Sequence, residues 1–124
     1  MNAAKLLMPI LVALVAAACM NPGEAIEFGQ CKLYYKEPVT SEQAQRVGKV
    51  LMEAGYFVES VKRDVQVLKD GETYVLRFVF KPEEVTPDAE TVLGGMRIAL
   101  SEALGGSEPR IEFCDSGLNV IRTL

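Results

Sequence analysis

Apolar and polar residues alternate along several short stretches of the chain and recur at helical spacing along two longer ones. In Phe28–Lys36, Cys31, Leu33 and Tyr35 alternate with Gln30, Lys32 and Tyr34, the period-two pattern of a half-buried strand. Glu37-Pro38 ends it. Thr40–Ala54 reads as a helix. Thr40 and Gln43 have capping-box spacing, and Ala44, Val47, Leu51 and Ala54 form one stripe that Val50 widens. Gly55 is a natural stop, and Tyr56-Phe57 is expected to fold back on the core.

Val61–Leu68 and Thr73–Phe80 flank Asp70-Gly71, a strong hairpin signal that predicts a type I′ turn. With Asp70 and Gly71 as the two loop residues, Val67 stands opposite Tyr74, Val65 opposite Leu76 and Val61 opposite Phe80. On the other face Gln66 meets Val75, and Asp64 meets Arg77 as an opposite-charge pair. Arg63 is expected to bury its stem and carry its head to an edge.

Thr86–Leu104 forms the second helix, capped by Thr86, with Pro87 first and Asp88 and Glu90 at the positive end of the dipole. Ala89, Val92, Leu93, Met96, Ala99, Leu100 and Ala103 form its inward stripe. Gly94-Gly95 conflicts with it, at about 1 kcal/mol per Gly relative to Ala. Close packing against the sheet or first helix is the favoured reason; a kink or a ligand approaching the backbone is the other. Gly105-Gly106 ends the helix. Arg110–Cys114 is a strand with Ile111 and Phe113 on one face, and Asp115-Ser116-Gly117 turns the chain into a short final strand within Leu118–Leu124.

The order is strand-helix-strand twice. Lys36-Glu37-Pro38-Val39-Thr40, before the first helix, resembles Lys81-Pro82-Glu83-Glu84-Val85-Thr86 before the second. The expected fold class is α+β, a ferredoxin-like two-layer βαββαβ sandwich with a possible extra C-terminal strand. Its sheet order would be 4-1-3-2, with both helices on one face. The strands bearing Cys31 and Cys114 would then be neighbours, although a bulge is needed to bring both thiols to one side.

Ahead of the domain, Lys5 precedes Leu6–Ala18, thirteen residues that are apolar apart from Pro9, followed by Cys19. A basic residue, a short apolar core and small residues at a cut site describe an export signal. The stretch is short for a membrane span, which needs about 20 apolar residues. Ala17-Ala18-Cys19 resembles the lipobox of bacterial lipoproteins, although Ala16 stands where Leu is usual. The resemblance implies that Cys19 is lipidated and becomes the mature N-terminus. Ordinary cleavage after Ala16-x-Ala18, giving a soluble secreted protein, and an uncleaved anchor are the alternatives. The expected organisation is a signal peptide over residues 1–18, a lipidated Cys and polar tether over 19–27, and one domain over 28–124.

Composition narrows the chemistry. The chain has 124 residues, 13 basic and 17 acidic. Without the leader's Lys5 the balance is 12 against 17, or −5. Such a surface repels nucleic acid, and no basic run interrupts it. There is no His, which excludes Ser-His-Asp and Cys-His nucleophile systems and imidazole metal sites. Of three cysteines, Cys31 and Cys114 remain once Cys19 is lipidated, and an oxidising compartment favours a disulfide between them. Two unpaired buried thiols are the alternative. No C-x-x-C suggests zinc or dithiol chemistry. No cofactor and no metal are expected.

Tyr34-Tyr35, Val39-Thr40, Gly55-Tyr56-Phe57, Val65-Gln66-Val67, Thr73-Tyr74, Arg77-Phe78-Val79 and Cys114-Asp115 follow the order found in a small extracytoplasmic α/β module of bacterial proteins. The chain resembles that module over about Tyr34–Leu124. The shared residues are core and turn positions. They imply a fold and carry over no catalytic or binding residue.

Two functional readings follow. The first is a membrane-tethered, non-catalytic binding or interaction module of the bacterial envelope, facing the periplasm or cell exterior. Its candidate surface is the sheet face without helices, bearing Tyr34, Asp64, Gln66, Val75, Arg77 and Val79. Its partners would be the membrane, through the lipid, and a protein partner or second copy through that face. A deep pocket there would favour a ligand; a flat apolar patch would favour a partner or dimer. The second reading is a soluble secreted or periplasmic enzyme using carboxylates among Glu83-Glu84, Asp88 and Asp115. These lie in turn and capping positions and are the weaker basis. Calcium at the acidic loop lacks the alternating ligand spacing of an EF-hand.

Overall fold

The structure is a computed structural model that describes residues 21–124. The export signal and the lipidation of Cys19 lie outside the described residues. No helix among the described residues is long and apolar enough to cross a membrane.

The domain is α+β. Its strands are β1 (Glu24–Phe28), β2 (Cys31–Tyr35), β3 (Asp64–Asp70), β4 (Thr73–Val79), β5 (Arg110–Cys114) and β6 (Val120–Thr123). Helix α1 (Ser41–Glu53) joins β2 to β3. A 3₁₀ turn (Pro82–Glu84), α2 (Pro87–Gly95) and α3 (Arg97–Ala103) join β4 to β5. The six strands form one sheet in chain order, β1-β2-β3-β4-β5-β6. The β2–β3 and β4–β5 pairs are parallel and the other three antiparallel. Leu51 of α1, Leu93 of α2 and Leu100 of α3 share one core with Leu33, Val65, Phe78 and Phe113 of the sheet, so the helices cover the same face. The Arg46 guanidinium of α1 donates to the Ala103 carbonyl at 3.0 Å, tying the two helical layers together.

The 4-1-3-2 order expected from the ferredoxin-like pattern is not the one adopted. The reason lies in the stretch read as a tether. Residues 24–27 belong to β1, and Gly29-Gln30 turns the chain so that Phe28 stands opposite Cys31. Gly29 takes φ 66° there, a conformation open to Gly at little cost. Strand β1 therefore occupies the edge of β2 that the expected order would give to β5. The opposite edge of β2 goes to β3, and β5 is left to pair with β4 and β6.

Cys31 and Cys114 are consequently not neighbours. Two strands separate them, so the gap is three inter-strand spacings, about 14 Å, beyond the roughly 7 Å a disulfide can bridge. Both are buried free thiols, not the expected pair. The Cys31 thiol donates to the Val61 carbonyl at 3.1 Å, and Cys114 lies 3.7 Å from the Phe78 carbonyl.

The helix starts follow local chemistry. Thr40 accepts from the Gln43 backbone N–H at 3.2 Å, while the Gln43 side chain accepts from the Thr40 N–H at 3.0 Å. The Gln43 amide also donates to the Tyr74 hydroxyl at 2.7 Å, which anchors the start of α1 on β4. Gly48 is buried inside α1, where a Cβ would collide with the Phe28 ring of β1. Thr86 caps α2 by accepting from the Ala89 N–H at 3.2 Å.

The hairpin register differs from expectation by two residues. Gly71-Glu72 forms the loop, and Asp70 stands opposite Thr73, Val67 opposite Leu76 and Val65 opposite Phe78. Gly71 is at φ 60° and Glu72 is not at positive φ, the pattern of a type II′ turn and not of type I′. A shift of two leaves every side chain on its face. Val65, Val67, Leu76 and Phe78 all enter the core with Leu33, Leu51, Leu93, Leu100, Ile111 and Phe113.

The second helix is broken at Met96 (φ −89°, ψ −6°), whose N–H bonds to Leu93 instead of continuing the ladder. A Cβ on Gly94 or Gly95 would meet nothing within 4 Å, so close packing is not why glycine is there. Two consecutive glycines weaken the helix, and the bend lets Leu93, Met96 and Leu100 all reach the core. Val92 and Ala99, counted in the inward stripe, are left exposed.

Candidate functional site

The helix-free face carries the six residues expected on it, because alternation along β2, β3 and β4 survives the register change. Tyr34, Gln66, Arg77 and Glu112 form one row across four strands. Arg77 therefore does not pair with Asp64. Its Nε donates to Glu112 Oε1 at 2.9 Å, and Arg110 Nε donates to Glu112 Oε2 at 3.0 Å. Arg110 also reaches Asp70 at 3.3 Å. The Glu112 side chain is only 7% exposed and has a guanidinium on each oxygen. A guanidinium on each oxygen offsets part of the desolvation cost of placing this carboxylate in the sheet.

This network changes what the face can do. Gln66 is 2% exposed and Val75 1% exposed, so neither offers surface to a partner. The Gln66 amide donates to the Pro22 carbonyl at 2.9 Å, which fastens the segment before β1 onto this face. What stays open is one end. Tyr34, Asp64 and Val79, with Pro22 and the Ser116–Asn119 loop, enclose a cavity of about 420 Å³. Asp64 Oδ1 and Gln66 Oε1 find no hydrogen-bond donor among the described residues and are buried there.

The loop beside this cavity is held by Asp115. Its Oδ1 accepts the backbone N–H groups of Gly117 and Asn119, each at 3.0 Å. These bonds, the one from Asn119 first, hold the Asp115 carboxyl below its ordinary range. Leu118 is pulled to φ 64°, which costs a non-glycine residue of order 1 kcal/mol.

A second cavity, of about 330 Å³, lies where α2 leans over the end of the sheet. Tyr56, Val79, Phe80, Val92 and Leu93 line it, with Lys62, Arg63 and Glu84 as its charged residues. Tyr56 sits in an aromatic cluster, edge-on to Phe78 at 5.2 Å and stacked with Phe80 at 6.4 Å. Burial pushes its phenol far above the usual range, so the hydroxyl stays protonated. The Arg63 guanidinium lies 4.6 Å over the Tyr56 ring and donates to the Tyr56 carbonyl at 2.9 Å. Arg63 and Tyr56 stood out in the sequence individually, but nothing in the alternation pattern placed them in one cavity.

The carboxylates considered for catalysis are dispersed. Glu84 faces the second cavity and accepts the Lys81 N–H at 3.1 Å. Asp88 belongs to the first turn of α2, and Asp115 serves its own loop. Among the described residues no group of His, Cys, Asp and Glu is arranged to hold a metal ion.

Fold and face together define a small α+β domain built on a six-stranded mixed sheet with helices on one side. A family model matches residues 25–104, from β1 to the end of α3, and the chain belongs to that family, AF_1994_N, a family N-terminal domain. No curated protein and no solved structure matches the chain.

Proposed function

We propose that this protein is a membrane-tethered extracytoplasmic lipoprotein of the bacterial envelope whose domain is a non-catalytic binding module. The observation that carries the reading is the docking of Pro22 on the helix-free face. Pro22 stands three residues after Cys19, a reach of about 10 Å in extended chain. Lipid on Cys19 would therefore hold the 420 Å³ cavity beside Tyr34, Asp64 and Val79 close to the membrane surface. A pocket at that place, together with the burial of Gln66 and Val75, favours a ligand over a flat docking face for a protein partner or a second copy.

Mass spectrometry of the mature N-terminus tests the anchor, with a diacylglyceryl Cys19 expected and Cys19→Ser blocking that maturation. An unmodified Cys19 at the N-terminus would make the protein soluble and remove the membrane from the proposal. Cross-linking from residue 117 in intact envelope tests the orientation. Adducts with lipid or with membrane-proximal proteins are expected, and adducts formed equally well by a Cys19→Ser variant would overturn it.

A further inference from the structure

We infer that the cavity between α2 and the sheet end is a second binding site, for a small zwitterion with an apolar body, such as an aliphatic α-amino acid. The inference stands whether or not Cys19 is lipidated. The walls are apolar, formed by Phe80, Val92 and Leu93. Charges of both signs line the space from separate elements, Lys62 and Arg63 ahead of β3 and Glu84 on the 3₁₀ turn. They form no ion pair with each other among the described residues.

Arg63 and Glu84 are each held in place with capacity to spare. Arg63 uses one N–H on the Tyr56 carbonyl and stacks on that ring, leaving further donors of its fork. Glu84 accepts one backbone N–H through Oε1, leaving Oε2. The Tyr56 hydroxyl makes no hydrogen bond to a described residue and supplies a neutral donor. A carboxylate fits the donors, an ammonium fits Glu84, and an aliphatic side chain fits the wall. A lone carboxylate would leave Glu84 opposed to it, and a lone amine would leave Lys62 and Arg63 so. Val92 is 57% exposed at the mouth, and a bound aliphatic group would cover it. The break at Met96 serves this site, because it lets α2 lean across the sheet end and complete the wall.

The test uses the purified full chain and three probes: L-leucine, 4-methylpentanoate (no ammonium) and isoamylamine (no carboxylate). Amide shifts of Val79, Phe80 and Val92 should move with leucine and saturate in the millimolar range. Each analogue should bind about tenfold more weakly or worse, the loss expected for one charged hydrogen bond. Glu84→Gln should weaken leucine by a similar factor and leave 4-methylpentanoate no weaker. Since Arg63 also supports Tyr56, Val92→Asp serves as the second variant, and it should abolish binding while amide spectra elsewhere keep their dispersion. Shifts absent at 50 mM leucine, on the order of ten times the expected dissociation constant, would overturn the inference. So would an analogue that binds as tightly as leucine.

Discussion

Gly48→Ala should destabilise the protein, although alanine is the better helix former. Gly48 is in the interior of α1, where the exchange alone would stabilise by about 1 kcal/mol. The added Cβ, however, collides with the Phe28 ring of β1. The ring must leave its place against Phe57, whose centroid lies 5.6 Å away. Phe28 is partly buried against the core. Losing half of a phenylalanine's burial costs about 1–1.5 kcal/mol, and losing the aromatic pair about 0.5–1.5 kcal/mol more. The net loss is about 1 kcal/mol after the helix gain is set against it. Urea denaturation of Gly48→Ala, Phe28→Ala and the double variant separates the parts. With Phe28 truncated, the collision is gone, and Gly48→Ala should stabilise by about 1 kcal/mol, so the sign reverses. Stabilisation in both backgrounds would refute the reasoning, since the ring would then step aside without cost and β1 would not be fitted to the helix through Gly48.

Glu112→Ala should cost about 2–3 kcal/mol, below the usual figure for breaking a buried pair because both guanidiniums stay partly solvated; thermal melts check this, and a loss under about 0.5 kcal/mol would show the network to be ornamental. In the folded protein Cys31 and Cys114 should resist thiol reagents, because both are buried and burial pushes the Cys114 thiol up to about 11. Both should react on unfolding, and a linked peptide pair under non-reducing mapping would contradict the strand order. Asp115 has a lowered pKa when folded, so its contribution is present above the unfolded value and lost as pH falls through the folded one. The amides of Gly117 and Asn119 should therefore exchange faster in strong acid, and Asp115→Ala should abolish that pH dependence.

Sequence by itself determined the elements whose cause is local. The capping box of Thr40 and Gln43, Thr86-Pro87 before α2, and Gly71 at positive φ depend on neighbours within a few residues, and each is found where the spacing placed it. It determined the two faces of the sheet as well, because a period of two survives a two-residue slip, and so Tyr34, Asp64, Gln66, Val75, Arg77 and Val79 share one side. Tertiary structure decided everything that depends on which edge meets which. Residues 24–28 carry weak alternation and become a strand only because β2 has an unpaired edge to offer. That pairing excludes β5 from the edge, keeps Cys31 from Cys114, and with the hairpin slip gives Arg77 to Glu112 instead of Asp64. The two cavities belong to the same level. Each gathers residues more than thirty positions apart in the chain, and no local pattern encodes a meeting that only the packed strand order brings about.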